Sequence, residues 1–399
     1  MITQSPPPAQ PGPLAAADRV TNLDAIRGLS VLGILLMNSV SFGLMPAAYF
    51  NLSAGGSRSW LDKAIGAAGE VFVDQKTMGL FSMLFGAGIV LFADRAAAKS
   101  AHPVRLVLWR NVLLLLIGFL HGLIWEGDVL FVYAVCAPLL VWARHLRPRR
   151  LIIAGSGLVL WSAVLAAIVQ TRVPSDGAGL GDYWLTDGSP MSDAVGLFLL
   201  NDFFARSLGM MLIGIALYRL QILQGVKPAE FYHRLAAWGL GIGLPIAIAG
   251  VAIQLNYDFD PRIAVIGEAP NTIATIPITL GYLGLITLWN QRPTTRAHLR
   301  VRATGRMALT NYLTQTLLGV IVLRSVSDPE TLGRSGILVF VLAVWALQVA
   351  WSKPWLDRFR FGPAEWLWRS ATYRRLEPLR IEPSRTTTAA EAREGDRDR

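Results

Sequence analysis

Residues 23–39 read LDAIRGLSVLGILLMNS, and the apolar run that opens here continues to Met45. From Ile26 the run is about 20 residues long, the length at which a helix rising roughly 1.5 Å per residue crosses a hydrocarbon core of about 30 Å. Nine further runs follow, so spans are expected at about 26–46, 78–94, 106–122, 129–143, 151–170, 196–217, 236–254, 272–289, 307–324 and 336–352. The runs are continuous rather than alternating, and their separators are not hairpin turns, which argues against transmembrane strands. The fold class this predicts is all-α: a polytopic transmembrane helix bundle of about ten helices.

Composition agrees. Of 399 residues, 53% are hydrophobic and 16% charged, whereas soluble domains carry roughly 25% charge. The net charge of +10 raises the question of nucleic acid, but the position of the charge answers it. With the N-terminus inside, 29 of the 37 Lys and Arg residues fall on the inner side and eight outside, which satisfies the positive-inside rule and makes both termini cytoplasmic. Inner loops hold Arg95, Lys99 and Arg105, then Arg144, Arg147, Arg149 and Arg150, then Arg292, Arg296, Arg300 and Arg302. Outer segments hold Asp176, Asp182, Asp187, Asp193, Asp258, Asp260 and Glu268. No nucleic-acid partner is needed, and membrane lipids are the expected surroundings. A single cysteine, Cys136, excludes a disulfide framework or a cysteine metal cluster within one chain. Residues 1–18 read as a disordered Pro-rich leader, 19–376 as one transmembrane domain and 377–399 as a disordered cytoplasmic tail. No internal repeat is visible.

Polar groups inside apolar spans are costly unless paired, so they are the candidates for function. Asp24 and Arg27, three apart, share a face at the mouth of the first span, with Asn38 deeper; the same pair also fits a plain helix-start ion pair. In HGLIWEGDVLFVY, His121 is followed by Glu126, Asp128 and Tyr133, the shape of an acid–base site in which a carboxylate orients an imidazole. An interfacial histidine beside a turn fits equally. One imidazole without a second at ligand spacing gives no metal site. In GRMALTNYLTQT, Arg306 enters a span and Asn311 and Gln315 share a face, either holding a polar substrate group or joining helices, with Gln348 a possible partner. The segment 355–372 combines Trp355, Phe359, Phe361, Trp366 and Trp368 with Arg358, Arg360 and Arg369, and resembles an amphipathic helix in the inner interface; Glu365 and Arg369 could pair. Lys76 precedes GLFSMLFGAGIVLF, whose glycines Gly79, Gly86 and Gly88 suggest tight packing.

Taken together, LDAIRGLSVLGILLMN, LFSMLFGAGIVLF, GFLHGLIWEGDVLFVYA, GRMALTNYLTQT and FRFGPAEWLWRSATY resemble the YeiB-like bacterial membrane proteins that carry domain of unknown function 418, over about residues 19–376. That resemblance implies a multi-pass protein of the bacterial inner membrane. The opening LDAIRGL is also similar to transmembrane acyltransferases of the heparan-glucosaminide N-acetyltransferase and acyltransferase-3 types. What this implies is transfer from cytoplasmic acyl-CoA, a cosubstrate rather than a bound cofactor, to a small-molecule, lipid or sugar acceptor at the outer face, with a histidine as base. The glucosaminide type carries that histidine after its first helix; here residues 47–77 contain none, and His121 is the outer-side histidine.

Two functions follow. A membrane acyltransferase would use Arg27, Arg306 and Arg369 for the donor and His121 as base, oriented by Asp128 or Glu126. A transporter or exporter of a small amphipathic solute would line a midplane site with Asn38, Asn311 and Gln315, with Asp128 coupling to protons. The topology is checked first. In a Cys136→Ser background, a membrane-impermeant maleimide applied to intact spheroplasts is expected to label Asp187→Cys and leave Arg147→Cys unlabelled; the opposite pattern inverts the orientation.

Overall fold

The computed structural model describes residues 20–98, 102–326 and 332–381. The expected leader, 1–18, and positions 382–399 of the expected tail lie outside the described residues. The first residues of that tail pair with the end of the bundle: Arg360 N–H donates to the Leu379 carbonyl at 2.8 Å and Ile381 N–H to the Arg358 carbonyl at 3.1 Å.

Among the described residues there are thirteen α-helices: α1 Thr21–Gly43, α2 Trp60–Phe72, α3 Lys76–Ala97, α4 Pro103–Gly122, α5 Leu130–Ala143, α6 Pro148–Gln170, α7 Asp193–Arg219, α8 Ala229–Asn256, α9 Ala269–Gln291, α10 Arg296–Arg306, α11 Ala308–Val326, α12 Arg334–Arg358 and α13 Pro363–Tyr373. Local chemistry sets several starts. Proline stands in the first turn of α4, α6 and α13, where no backbone donor is needed. Ser59 and Asp62 cap α2 reciprocally.

All ten expected runs are helical. Among the described residues, eight segments are long and apolar enough to cross a membrane: α1, α4, α6, α7, α8, α12, the stretch Trp60–Ala97 that includes α2 and α3, and Ile266–Gln291 that includes α9. Two fall short for different reasons. The 14 residues of α5 extend only about 21 Å at 1.5 Å per residue. The first half of α11 carries buried Thr310, Asn311, Gln315 and Thr316. The 47–77 segment is more than a loop, since it contains α2, and the 355–372 segment divides between the end of α12 and α13. That last helix is docked into the bundle: Trp109 Nε1 donates to the Ala371 carbonyl at 3.2 Å and Trp368 Nε1 to the Arg110 carbonyl at 2.9 Å.

Burial separates the centre from the rim. In their most apolar windows α1 is 67% and α7 72% buried, whereas α4 is 22% and α8 and α12 are 28% buried. Leu116, Phe119, Trp238, Ile242, Val339 and Leu347 on these outer helices are exposed, as helices facing lipid require. The pairs α4/α5, α6/α7 and α8/α9 are packed neighbours, and the contacts of Gly239 with Gly281 and of Gly250 with Pro270 show α8 and α9 running antiparallel. Arg95 and Arg144–Arg150 thus mark one basic face, at which α1 begins, and Asp176, Asp182, Asp258 and Asp260 the opposite, acidic face.

Glycine lets the central helices touch backbone to backbone. A Cβ on Gly86 of α3 would stand 2.1 Å from the Met211 carbonyl oxygen, and one on Gly214 of α7 would stand 2.1 Å from that of Met83. Gly28 and Gly305 seat α1 on α10 in the same way. Gly88, expected to pack tightly, has open space beside it. Gly86→Val or Gly214→Val is therefore expected to destabilise the protein by about 1–3 kcal/mol or more through overpacking, read as a lowered Tm in detergent. Gly157→Ala, with open space at its Cβ, is expected to leave the Tm unchanged or slightly raised.

Candidate functional site

Between α1, α3, α4, α5, α11 and α13 lies a cavity of about 320 Å³. Its end toward the basic face is formed by Arg27, Arg110, Arg306, Glu365 and Trp368, its walls include Phe81, Phe85, Ile89 and Leu114, and its deep end reaches Tyr133 and Tyr312. The guanidinium of Arg110 lies 3.6 Å over the Trp368 ring and 4.9 Å over Phe92, an arrangement that keeps an arginine charged in apolar surroundings. Arg27 pairs with Asp24 at 3.2 Å and is about one-third exposed. Arg306 Nη2 donates to the Arg360 carbonyl at 3.5 Å. The expected meeting of Asp24 with a basic partner is thus made within α1, by Arg27.

Glu365 does not pair with Arg369. Its carboxylate covers the start of α11, accepting from Leu309 N–H at 2.7 Å, Thr310 N–H at 3.2 Å and the Thr310 hydroxyl, where helix N-termini favour negative charge. Burial pushes the Glu365 carboxyl above its usual range, and these hydrogen bonds pull it down. With three arginines set against Asp24 and Glu365, the mouth retains an excess of positive charge.

At the deep end, His121 Nδ1 lies 2.8 Å from Asp128 Oδ1, both side chains buried. An ionised carboxylate only accepts, so the proton is assigned to Nδ1 and the lone pair to Nε2. Nε2 is buried and has no hydrogen-bond partner. Asp128 also accepts from the Tyr312 hydroxyl at 3.2 Å and, through Oδ2, from Phe131 N–H at 3.0 Å at the start of α5. One carboxylate therefore orients the imidazole, a cavity-lining tyrosine and a helix start. The imidazole stands 5.2 Å from the Tyr312 ring and 6.1 Å from Trp125, whose Nε1 donates to Ser41 Oγ at 3.1 Å. Tyr133, also on the cavity, shares a 2.6 Å hydrogen bond with Ser82. Glu126 is exposed, which corrects the expectation that either acid could orient His121; the turn turns Asp128 inward and leaves Glu126 outward.

The structure does not bring the remaining candidates to this cavity. Asn311 Nδ2 donates to the Thr304 carbonyl at 3.1 Å and Ser352 at 3.3 Å, and Trp351 Nε1 donates back to Asn311 at 3.0 Å. Gln315 Nε2 donates to the Val31 carbonyl at 3.1 Å and to Gln348 at 2.9 Å. These amides join α1, α11 and α12, the helix-joining alternative of their two readings, with Gln348 as the partner. Asn38 is half-buried on α1 and does not line the cavity. The Arg369 guanidinium lies over Phe361 and Tyr373, at 5.1 and 5.0 Å. Lys76 is fully buried at the opposite end of α3, bonded to the Glu70 carbonyl and to Asn271. Sequence reasoning missed Arg110, Tyr312 and the buried group Glu70, Asp202, Arg206 and Glu268. A charged residue well inside an apolar run, as at Arg110, or an acid and base four apart within one, as at Asp202 and Arg206, was the available signal.

Comparison with known proteins fits this picture. The family model "Protein of unknown function (DUF418)" matches residues 217–375. The chain is 33% identical over 391 residues to "Uncharacterized protein YeiB" of Escherichia coli (strain K12), covering 92% of this chain and all of that protein. It is 29% identical over 406 residues to "Uncharacterized protein YxaH" of Bacillus subtilis (strain 168), covering 92% and 97%. A 39.9 kDa protein from the amylase 3′ region of Bacillus acidopullulyticus is 27% identical over 374 residues, with the same coverage.

The two acids after His121 are separable by stability. Asp128→Asn, which leaves Tyr312 and the imidazole with an altered buried partner, is expected to cost about 1–3 kcal/mol, whereas Glu126→Gln is expected to leave the Tm unchanged.

Proposed function

The chain belongs to the YeiB-like DUF418 family, and we propose that it is a membrane-embedded acyltransferase whose donor is an acyl-CoA held from the basic face. In this reading the basic face is cytoplasmic, in the bacterial inner membrane, with both termini on that side. The phosphates of the donor meet Arg27, Arg110 and Arg306, and the thioester arm and acyl group enter the cavity. The acceptor is a hydroxyl or amine of a small molecule, lipid or sugar approaching from the acidic face.

The observation that carries the reading is the continuity of the cavity, from three guanidinium groups to a tyrosine that hydrogen-bonds the same carboxylate as a buried histidine. Its 320 Å³ falls within the roughly 300–1,000 Å³ of small-molecule sites. An anionic head and an apolar tail are what such a lining accommodates.

The chemistry assigned to the residues is ordinary acyl transfer. His121 Nε2 takes the proton of the acceptor hydroxyl or amine as its oxygen or nitrogen bonds to the thioester carbonyl carbon. The carbon–sulfur bond then breaks, the sulfur leaves as the thiolate, and His121 returns the proton to it. Asp128 holds the imidazole in the required tautomer and stabilises its charged form. Tyr312 lines the cavity and His121 does not, so Tyr312 has to swing aside for the imidazole to reach the reacting atoms. The transport reading is favoured less, because Asn311 and Gln315 bond helix to helix.

Binding and turnover separate the roles. Purified protein in detergent is expected to bind acyl-CoA saturably. Arg110→Gln and Arg306→Gln are expected to weaken binding by about 10- to 100-fold each, for the loss of a charge-assisted contact of roughly 1.5–3 kcal/mol. Gly88→Leu, which puts a side chain into the open space, is expected to block binding of long-chain donors. His121→Ala is expected to retain binding while transfer falls about 10²- to 10⁴-fold. Absence of acyl-CoA binding in the wild type rejects the proposal.

A further inference from the structure

A second polar centre lies toward the acidic face, where α2 reverses into α3 and α9 begins. Glu70, Asp74 and Glu268 are each more than nine-tenths buried, and one carboxylate oxygen from each lies within 4.8 Å of the others. Lys76 is the cation nearest to them in sequence, but its ammonium donates to neutral oxygens, the Glu70 carbonyl at 2.7 Å and the Asn271 side-chain carbonyl. Arg206 is paired with Asp202. Among the described residues, none of the ion pairs within 4.0 Å includes Glu70, Asp74 or Glu268.

A further feature points to a missing small ligand. Glu268 accepts from Gln254 at 3.0 Å through Oε1, while its Oε2 is buried and has no partner. Asp74 is held in place, accepting from Tyr49 at 3.1 Å and Asn271 at 3.1 Å.

We propose that Glu70, Asp74 and Glu268 bind one hard divalent cation, of the magnesium, calcium or manganese kind. When ionised, the three carboxylates outnumber the Lys76 ammonium beside them in a buried space, and a divalent ion would offset that excess. The donors are all oxygens, with neither imidazole nor thiolate in the group, which selects hard ions over zinc or copper. Lys76 helps by fixing Asn271, whose amide nitrogen in turn orients Asp74. Such an ion would tie the α2–α3 reversal to the start of α9, elements that are distant in sequence. This centre is separate from the cavity of the proposed acyltransferase and does not depend on that reading.

The test uses the full chain, purified in detergent and stripped with chelator. Titration with Mg²⁺, Ca²⁺ and Mn²⁺ is expected to raise the Tm saturably for at least one ion, and Mn²⁺ electron paramagnetic resonance to count one bound ion per chain. Glu268→Gln is expected to weaken that binding at least tenfold, and Glu230→Gln, in an exposed surface pair, to leave it unchanged. Equal affinity in wild type and Glu268→Gln overturns the assignment. If the variant does not accumulate, the wild-type count decides: no saturable binding of any of the three ions at millimolar concentration overturns it as well, and leaves the carboxyls as neutral acids.

Discussion

Hydrocarbon supplies no hydrogen bonds, so a polar group carried into this bundle has to be met by another part of the chain. The structure is largely a set of answers to that demand. Gln315, Gln348, Asn311 and Ser352 form a network between three helices, with Gln315 Oε1 left unmet, and Trp345 Nε1 donates to the Leu32 carbonyl at 2.8 Å. Arg110 is met by aromatic faces, and Glu365 by the first amides of α11. A buried polar atom left unmet costs about 1–3 kcal/mol. Of the ten such side-chain atoms among the described residues, His121 Nε2 and Glu268 Oε2 lie one beside each polar centre.

The same demand explains the irregular helices. A helix of 14 residues cannot span on its own, so the turn before α5 is drawn into the bundle, where Trp125, Val129 and the Asp128 carboxylate are buried. The break between α10 and α11 exposes backbone donors that Glu365 accepts. Non-helical backbone is tolerated at such places when protein covers it or when it borders a cavity, and here both breaks border the same cavity. Short helices and cavity go together: Val129 and Leu130 at the start of α5, and Gly305, Arg306 and Ala308 at the α10–α11 break, line the space.

Close packing of the centre leaves that space well defined. Gly86 and Gly214 bring α3 and α7 into backbone contact on one side of α3, while Gly88, two residues further on, opens toward the cavity. Residues two apart on a helix do not share a face, so one small-residue stretch serves tight packing and open volume together. The basic mouth likewise has its guanidinium groups positioned by aromatic, carboxylate and carbonyl neighbours.

The sequence by itself determined the helical class and the ten apolar segments and placed an acid within reach of His121, because hydrophobic run length and spacing within seven residues are local properties of the chain. It also pointed to Arg27, Arg306 and Tyr133, which do line the cavity. Only the tertiary structure decided that Asp128 rather than Glu126 faces the imidazole, since one turn's direction separates them. It alone joined Tyr312 to Asp128 across 184 positions and Lys76 to Asn271 across 195, and showed Asn311 and Gln315 bonded to neighbouring helices. The physical reason is the same throughout: a span's identity follows from transfer of its own residues into lipid, whereas the partner of a buried polar group is set by which helices lie beside it, and helix order in space is not written in any one segment.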